Sequence, residues 1–506
     1  MANAQQQVKT YVAYENAPME YRDFFMKAAE ANKLVDPLAR CLAFPDAPGN
    51  QWAVGEVKAH CEFNFSKRPS LVEIKAFLDS GNVTGLDELF NSYLERHFSK
   101  DEFSEEIHAL YELFDSSYES GRLSKVWLDK APNSAYAMVA RAEYFRRMAS
   151  TARGGKYVSE TPQENLARMS EFSTLSVDLY QRALVLEPRM IQAYVGLLSI
   201  GAIDSRSDVM RIAIKKGYAL DPACYVLTSV NMDYLEPRWG GSYPQMQKLA
   251  EQFSIYLPQR PLLSINVSGA YLDMANTLWS AKKYPEAVTI YEKIMPVSSD
   301  AKPYESAGLL MSYLDKPDRW RELLYLVAAS RFTSVVNTKA SVNRERGRLL
   351  LFMASDLDGA YANLKQAVMT DPEDANGHYL LGSSLMEMNR FTEAEAEYLL
   401  ALNNKTKNNL RRDSLYAFTS ALLLGGMTEK ARTNSGMLVQ EFPDYAKGWL
   451  QYARVLSALK DSSFSKALEK FMALADPKDE SLKRDREQVG KYLQRQAEQK
   501  SGSAKP

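Results

Sequence analysis

Residues of matching type recur 34 positions apart along this chain, and this period constrains the fold more than any other feature. In the clearest stretch, Ala360 and Ala367 are followed 34 positions later by Ala394 and Ala401. A period of this length corresponds to one pair of helices, which buries its apolar face only by stacking on the next pair. Small residues at matching positions let the two helices approach closely. The period therefore predicts an all-α chain, an α-helical solenoid of stacked antiparallel helix pairs.

Local signals for the ends of helices agree with that period. Proline follows the last predicted turn at Pro188, Pro222 and Pro372, where its ring stops the helix and its missing N–H costs least. No alternating segment bounded by hairpin turns indicates a strand. Capping boxes predict three helix starts, and they are Ser70–Glu73, Ser99–Glu102 and Thr161–Glu164, the last with Pro162 at the first helical position.

The segment 358–401 resembles the tetratricopeptide repeat. Leu381 and Gly382 stand on its first predicted helix, and Phe391 and Tyr398 stand on the second. In proteins with such repeats, stacked helix pairs form a groove that binds a partner. The resemblance therefore implies a non-enzymatic scaffold or adaptor that binds a protein or a peptide.

Some tetratricopeptide proteins grip the carboxylate end of a chaperone tail with Lys and Asn at fixed first-helix positions. Here those positions hold Tyr379 and Ser383 in one repeat, and Leu450 and Arg454 in another. The clamp is therefore not recognisable. Tyr379, Ser383 and Arg454 remain candidate contacts for a different partner.

The loop 237–242 is the most distinctive short segment. Arg238 and Trp239 are residue types favoured at protein interfaces, which makes them a candidate binding anchor. The favoured interpretation is structural: Trp239 packs between helix pairs, and Gly240 and Gly241 permit the turn.

Residues about 70–255 are less regular, and they resemble an uncharacterised bacterial domain family commonly joined to tetratricopeptide repeats. The motifs that carry this resemblance are Trp127–Pro132, Arg153–Gly155 and Pro237–Ser242. It implies a bacterial origin and a helical-repeat fold, and it supplies no reaction. The predicted segments are an N-terminal helical cap with a loop at 1–68, a divergent helical-repeat domain at 69–258, tetratricopeptide-like repeats at 259–477, and a charged capping helix with a disordered tail at 478–506.

The charge balance argues against a protein that coats nucleic acid. The chain has 62 basic and 63 acidic side chains, whereas coating nucleic acid requires a large excess of Lys and Arg. We therefore expect a protein or peptide partner and no nucleic acid, with the oligomeric state open. Because no Gly-x-Ser-x-Gly elbow or phosphate-binding glycine loop is present, no enzyme and no cofactor are predicted. The alternative is an envelope hydrolase or other enzyme whose active site is hidden in the divergent N-terminal region.

Three cysteines and four histidines do not predict a metal site. A zinc site needs three or four convergent ligands, and only His60 and Cys61 are adjacent in the sequence. Cys41 and Cys61 could pair in an oxidising compartment. Two buried thiols are the favoured interpretation, because free cysteine behaves as a small apolar residue.

The N-terminus is polar and lacks the apolar core of a signal peptide. No apolar run approaches the ~20 residues that cross a bilayer. We therefore expect a cytoplasmic protein; the alternative is a periplasmic one, with Ala2–Ala4 as the remnant of a cleavage site. By analogy with other bacterial solenoids, we expect an accessory role in a toxin-immunity, secretion or envelope system.

Overall fold

A computed structural model describes residues 12–100, 103–155, 158–333, 338–403 and 408–502. Every regular element in these ranges is helical, which confirms the predicted all-α fold. The chain forms two compact units. One contains the described residues of 1–26, 319–326 and 334–506, and the other contains those of 27–318 and 327–333. The four-segment division expected from the sequence stays a prediction.

The first eighteen α-helices lie between residues 19 and 329. They are α1 Met19–Ala31, α2 Pro37–Ala43, α3 Glu56–Phe65, α4 Leu71–Asp79, α5 Val83–Phe98, α6 Glu106–Tyr111, α7 Tyr118–Lys130, α8 Ala135–Arg153, α9 Gln163–Leu186, α10 Ile191–Ile203, α11 Ser207–Leu220, α12 Tyr225–Tyr234, α13 Tyr243–Ser254, α14 Ser264–Val267, α15 Gly269–Ser280, α16 Tyr284–Ile294, α17 Ala301–Met311 and α18 Arg319–Ala329.

The remaining α-helices follow residue 339. They are α19 Ala340–Leu349, α20 Leu357–Thr370, α21 Ala375–Glu387, α22 Phe391–Asn403, α23 Asn408–Leu424, α24 Thr428–Glu441, α25 Ala446–Ala458, α26 Phe464–Leu474 and α27 Lys483–Gly502. Short 3-10 turns occupy Val158–Glu160, Pro237–Trp239 and Pro261–Leu263, and one π turn occupies Leu350–Ala354.

Consecutive helices pack as pairs, and the first helices of successive pairs also touch. In one unit α8 packs on α9 and α10 on α11, while α10 also contacts α8 and α12. In the other unit α21 packs on α22 and α25 on α26, while α23 contacts both α21 and α25. Within each unit this produces a row of neighbouring first helices, as a helical repeat requires.

The predicted proline stops are confirmed. Helices α9, α11 and α20 end two residues before Pro188, Pro222 and Pro372 respectively. Proline has no N–H to continue the helix, and its ring disfavours helical backbone in the residue before it. These helix ends are therefore set locally by the sequence.

The predicted capping boxes had different outcomes. Ser70 and Glu73 form the expected reciprocal pair at the start of α4. Thr161 does not cap α9, whose N-cap is Pro162; its hydroxyl accepts a hydrogen bond from Arg153 at 3.0 Å. Ser99 ends α5, and its expected partner at position 102 lies outside the described residues.

Cys41 on α2 and Cys61 on α3 form a disulfide. The interpretation as two free thiols is therefore wrong. Packing of α2 against α3 brings the two Cα atoms to 5.7 Å, a separation that allows the bond. Cys224 is a buried free thiol.

None of the described helices combines the length and apolarity that crossing a membrane demands.

Candidate functional site

A cavity of about 460 Å³ opens along the row of first helices in the unit 27–318. Helices α8, α10, α12, α15 and α17 each contribute lining residues, together with the loop after α12. We call it the Trp239 cavity. Its principal polar and aromatic residues are Arg146, Ser199, Asp233, Tyr234, Glu236, Arg238, Trp239, Asp273, Asn276 and Lys302.

Arg238 and Trp239 line this cavity, a position from which a binding anchor could contact a ligand. Trp239 is 52% exposed, so neighbouring residues cover about half of its surface, and the choice between a packing role and a binding anchor stays a prediction. Its ring meets the edge of Tyr234 with centroids 6.1 Å apart. The Arg238 guanidinium donates to Glu236 at 2.5 Å and lies 5.8 Å from the indole centroid. These contacts orient an indole that keeps half of its surface available to a ligand.

A glycine holds the loop in this conformation. A Cβ on Gly241 would lie 2.1 Å from the carbonyl oxygen of Leu235, which no side chain tolerates. Gly240 adopts a φ of +90°, the left-handed region that glycine enters at no steric cost. The two glycines therefore turn the chain sharply and leave Trp239 at the rim.

The Trp239 cavity holds charges of both signs. Burial raises the pKa of Asp233, although Lys302 opposes the shift. Burial likewise raises the pKa of Glu236, against the effect of Arg238. The cavity therefore offers acceptors and donors at short range, partly shielded from water, where polar contacts are stronger than on an open surface.

The other predicted contacts lie in the second unit. Tyr379 is half-buried on α21, whereas Ser383 is buried and its hydroxyl is 3.1 Å from the hydroxyl of Tyr398. Arg454 lies on α25, 3.5 Å from Asp485, beside a cavity of about 240 Å³. Tyr379 and Ser383 are not among the residues that line this cavity. Whether the three residues bind a partner stays a prediction.

Four residues that the sequence analysis did not connect converge in the unit 27–318. His97, Glu105, His108 and Cys224 are buried, and one ligand-type atom of each lies within 4.8 Å of the others. We call them the His97–Cys224 cluster. The sequence offers little indication of this cluster, because only Glu105 and His108 show helical spacing and Cys224 is more than a hundred residues away.

The other two histidines have structural roles. His60 stacks on Phe332 with centroids 4.0 Å apart, and its Nδ1 lies 3.0 Å from the Ser299 hydroxyl. Burial, assisted by Arg331, lowers the pKa of His60 to about 3, so the ring is neutral. His378 pairs with Glu397 at 2.7 Å, and that hydrogen bond raises its pKa.

A buried hydrogen-bond network runs from the cluster to the Trp239 cavity. The side-chain carbonyl oxygen of Gln192 lies 2.5 Å from His108 Nδ1. The side-chain NH₂ group of Gln192 donates to Glu143 at 2.7 Å. Glu143 also accepts from Tyr180 at 2.6 Å and from Arg146, which lines the cavity. Burial alone would raise the pKa of Glu143, but Arg146 and the hydrogen bonds hold it below its usual value.

Comparison with known families identifies one repeat. A model of the tetratricopeptide repeat matches residues 351–417, a segment that spans α20, α21 and α22 and ends inside α23. The repeat predicted for residues 358–401 is thus confirmed. No curated protein was found to be similar to the chain.

The chain is also similar to several solved structures, including two whose names carry TPR and one APC/C assembly. The crystal structure of YrrB, a TPR protein with an unusual peptide-binding site, is 19% identical, with a TM-score of 0.32 over 42% of this chain and 99% of that one. The C-terminal part of a TPR repeat-containing protein from Cytophaga hutchinsonii is 17% identical, with a TM-score of 0.35 over 44% and 85%. The APC/C hetero-tetramer Cut9-Hcn1 is 10% identical, with a TM-score of 0.33 over 93% and 96%.

Proposed function

We propose that this protein is a non-enzymatic helical-repeat scaffold that binds a segment of a partner polypeptide in the Trp239 cavity. The observation that carries the proposal is the position of that cavity, which residues of six helices (α8, α10, α12, α13, α15 and α17) line together with the Trp239 loop. A groove along a row of helices follows the length of an extended peptide. Binding is passive and needs no reacting group.

The side chains at the cavity suit a peptide with mixed chemistry. The exposed face of Trp239 provides an apolar anchor of the kind that dominates protein interfaces. Asp233 and Asp273 can accept from backbone N–H or basic side chains, while Lys302 can donate to carbonyl or carboxylate oxygens. The near-neutral chain favours recognition by such local contacts over long-range attraction.

A peptide-display selection against the full chain tests the proposal. Enriched peptides should lose about 30-fold in affinity for Trp239→Ala, since an aromatic hot spot is worth about 2 kcal/mol. Tyr118→Ala is the matched control, because Tyr118 is an exposed aromatic residue on α7 that does not line the cavity. Peptides that bind both variants as tightly as the native chain, or no enriched sequence at all, would contradict a peptide site at the cavity.

An enzyme is the second candidate, and one observation favours it. Asp233 and Glu236 have raised pKa values inside a cavity, a property shared with general acids. Mass spectrometry of the selected peptides after incubation separates the two functions. A scaffold returns them intact, whereas a hydrolase returns fragments and loses that activity in Glu236→Gln.

We also propose that the protein acts in an oxidising compartment, as an accessory to an envelope, secretion or toxin-immunity system of a bacterium. The Cys41–Cys61 disulfide supports this location, because such bonds persist outside the reducing cytosol. Ala2–Ala4 lies outside the described residues. Alkylation of free thiols in intact source cells is the test: protection of Cys41 and Cys61 is expected, and labelling of both would restore the cytoplasmic alternative.

A further inference from the structure

The His97–Cys224 cluster has the dimensions of a tetrahedral metal site. Four of the six separations between its ligand atoms are 3.4 Å between His108 Nε2 and Glu105 Oε2, 3.4 Å between Cys224 Sγ and His108 Nε2, and 3.9 Å from Glu105 Oε2 to both Cys224 Sγ and His97 Nδ1. Zinc bonds of 2.0–2.3 Å arranged tetrahedrally place ligand atoms about 3.3–3.8 Å apart. All four ligand atoms lie within 4.8 Å of one another, so shifts of up to about an ångström would bring them around one ion.

One buried nitrogen of the cluster makes no hydrogen bond to the described residues. His97 is fully buried, and its Nδ1 has no hydrogen-bond partner among the described residues. It faces the Glu105 carboxylate at 3.9 Å, which is beyond hydrogen-bond distance. A buried polar atom without a partner costs free energy. A cation at the centre of the cluster would satisfy it.

Neighbouring residues orient the ligands as they do around known metals. His97 Nε2 lies 2.9 Å from the Asp221 carboxylate, and His108 Nδ1 lies 2.5 Å from the Gln192 carbonyl oxygen. Each histidine therefore donates through its outer nitrogen and directs the lone pair of the other nitrogen inward. Metal-binding histidines almost always show this arrangement.

The carboxylate and the sulfur are also held in position. Glu105 accepts from the backbone N–H of Tyr225 at 3.0 Å through Oε1, which turns Oε2 toward the cluster. Cys224 is the N-cap of α12, and its sulfur lies 3.4 Å from the Leu227 nitrogen. Burial, with Glu105 and Asp221, raises the pKa of the Cys224 thiol well above its usual value, so its proton would leave as a metal ion binds.

We propose that His97, Glu105, His108 and Cys224 bind one divalent transition-metal ion of the zinc type. One carboxylate and one thiolate balance two positive charges, and two neutral imidazoles complete four-coordination. A set of nitrogen, oxygen and sulfur ligands suits zinc and disfavours magnesium or calcium, which prefer oxygen alone. With four protein ligands the site is closed and structural.

A second cavity reaches one ligand of the cluster. About 440 Å³ in volume, it carries charges of both signs, and its charged lining residues are Lys58, Glu62, Arg96, Glu105, Glu106 and Arg260. Glu105 therefore belongs to both the cavity and the cluster. The bound ion would join the α5–α6 region to the start of α12, two segments more than a hundred residues apart.

The test uses the full chain without a histidine tag, purified without chelating reductants. We expect about one zinc per chain by elemental analysis, and after its removal a saturable titration with Zn²⁺. With Co²⁺ we expect tetrahedral visible bands and a thiolate charge-transfer band in the near ultraviolet. Since Cys41 and Cys61 are disulfide-bonded, that charge-transfer band can arise only from Cys224.

Variants assign the ligands. Cys224→Ser keeps an acceptor at the N-cap and should abolish the charge-transfer band. Asp221→Asn, outside the ligand set, should weaken Zn²⁺ binding about 10- to 100-fold. His378→Gln, a histidine far from the cluster in sequence and paired with Glu397, should bind like the native chain.

The result that overturns the proposal is clear even if a variant fails to fold. A native chain that is metal-free as isolated, shows no saturable Zn²⁺ binding and develops no cobalt–thiolate band has no such site. Binding that is equally strong in folded Cys224→Ser and Asp221→Asn would also exclude the cluster.

Discussion

At the level of single residues, close contact between helices depends on glycines that face buried aromatic rings. A Cβ on Gly196 of α10 would lie 2.1 Å from the ring of Tyr180 on α9. Tyr180 cannot retreat cheaply, because it is fully buried and its hydroxyl donates to Glu143 at 2.6 Å. Gly382 meets Tyr398 in a similar way, with a Cβ separation of 3.0 Å. Both glycines thus let neighbouring helices approach, and Gly382 belongs to the predicted tetratricopeptide-like repeat.

We predict that Gly196→Ala destabilises the protein. Overpacking of a filled core costs about 1–3 kcal/mol, and displacement of Tyr180 would add the loss of its hydrogen bond. Urea unfolding followed by circular dichroism measures the change. The control is Gly436→Ala in the interior of α24, where a Cβ meets nothing within 4 Å. That variant should gain about 0.5–1 kcal/mol, and equal effects of the two substitutions would contradict the packing argument.

At the level of helices, the Cys41–Cys61 bond ties α2 to α3. A cross-link lowers the conformational entropy of the unfolded chain more than that of the folded one. The sequence separation of the two cysteines is 20, so the closed loop is long enough for a substantial effect. Nothing in the local sequence distinguishes this pair from two buried thiols, since pairing depends on how the helices pack.

Reduction of the disulfide should therefore destabilise the unit 27–318 by about 3 kcal/mol, the value expected for a loop of this length. Urea unfolding with and without a phosphine reductant measures the loss. A Cys41→Ala, Cys61→Ala double variant should not respond to the reductant, whereas Cys224→Ser should respond like the native chain. Native stability that is insensitive to reductant would argue against a stabilising role of the bond.

At the level of the whole molecule, the charge balance and the repeat architecture both support the proposed polypeptide partner over nucleic acid. The net charge of −1 leaves no general excess of cations. The Trp239 cavity instead brings aromatic groups and charges of both signs together. Recognition in such cavities depends on local fit more than on long-range attraction.

We predict that the protein does not bind nucleic acid. Phosphate-backbone binding scales with the number of neutralised phosphates and weakens steeply with salt. Fluorescence anisotropy with single- and double-stranded probes, at about 50 and 200 mM salt, should show no complex at micromolar protein. A complex that forms at the lower salt concentration and dissolves at the higher one would reveal a basic patch and contradict the prediction.

Much of the fold follows from residues that are close in the chain. The prolines at 188, 222 and 372 end helices through their own rings, Ser70 caps α4 through a residue three positions on, and the 34-residue period pairs neighbouring helices. These effects act over one or two helices, so a pattern in the sequence is enough to predict them. Thr161 is the exception: α9 has Pro162 as its N-cap, and the Thr161 hydroxyl accepts from Arg153.

The Trp239 cavity and the His97–Cys224 cluster depend on contacts between segments that are distant in the sequence. Cys224 meets His97 and His108, and Trp239 joins Asp273 and Lys302, only because segments far apart in the sequence pack together. Hydrogen bonds and coordination need atoms placed within a few tenths of an ångström, and no periodic pattern encodes such distances. The residues alone therefore determined a stack of helix pairs without a catalytic motif, whereas the packing of those pairs decided where a disulfide, a cavity and a metal-type cluster arise.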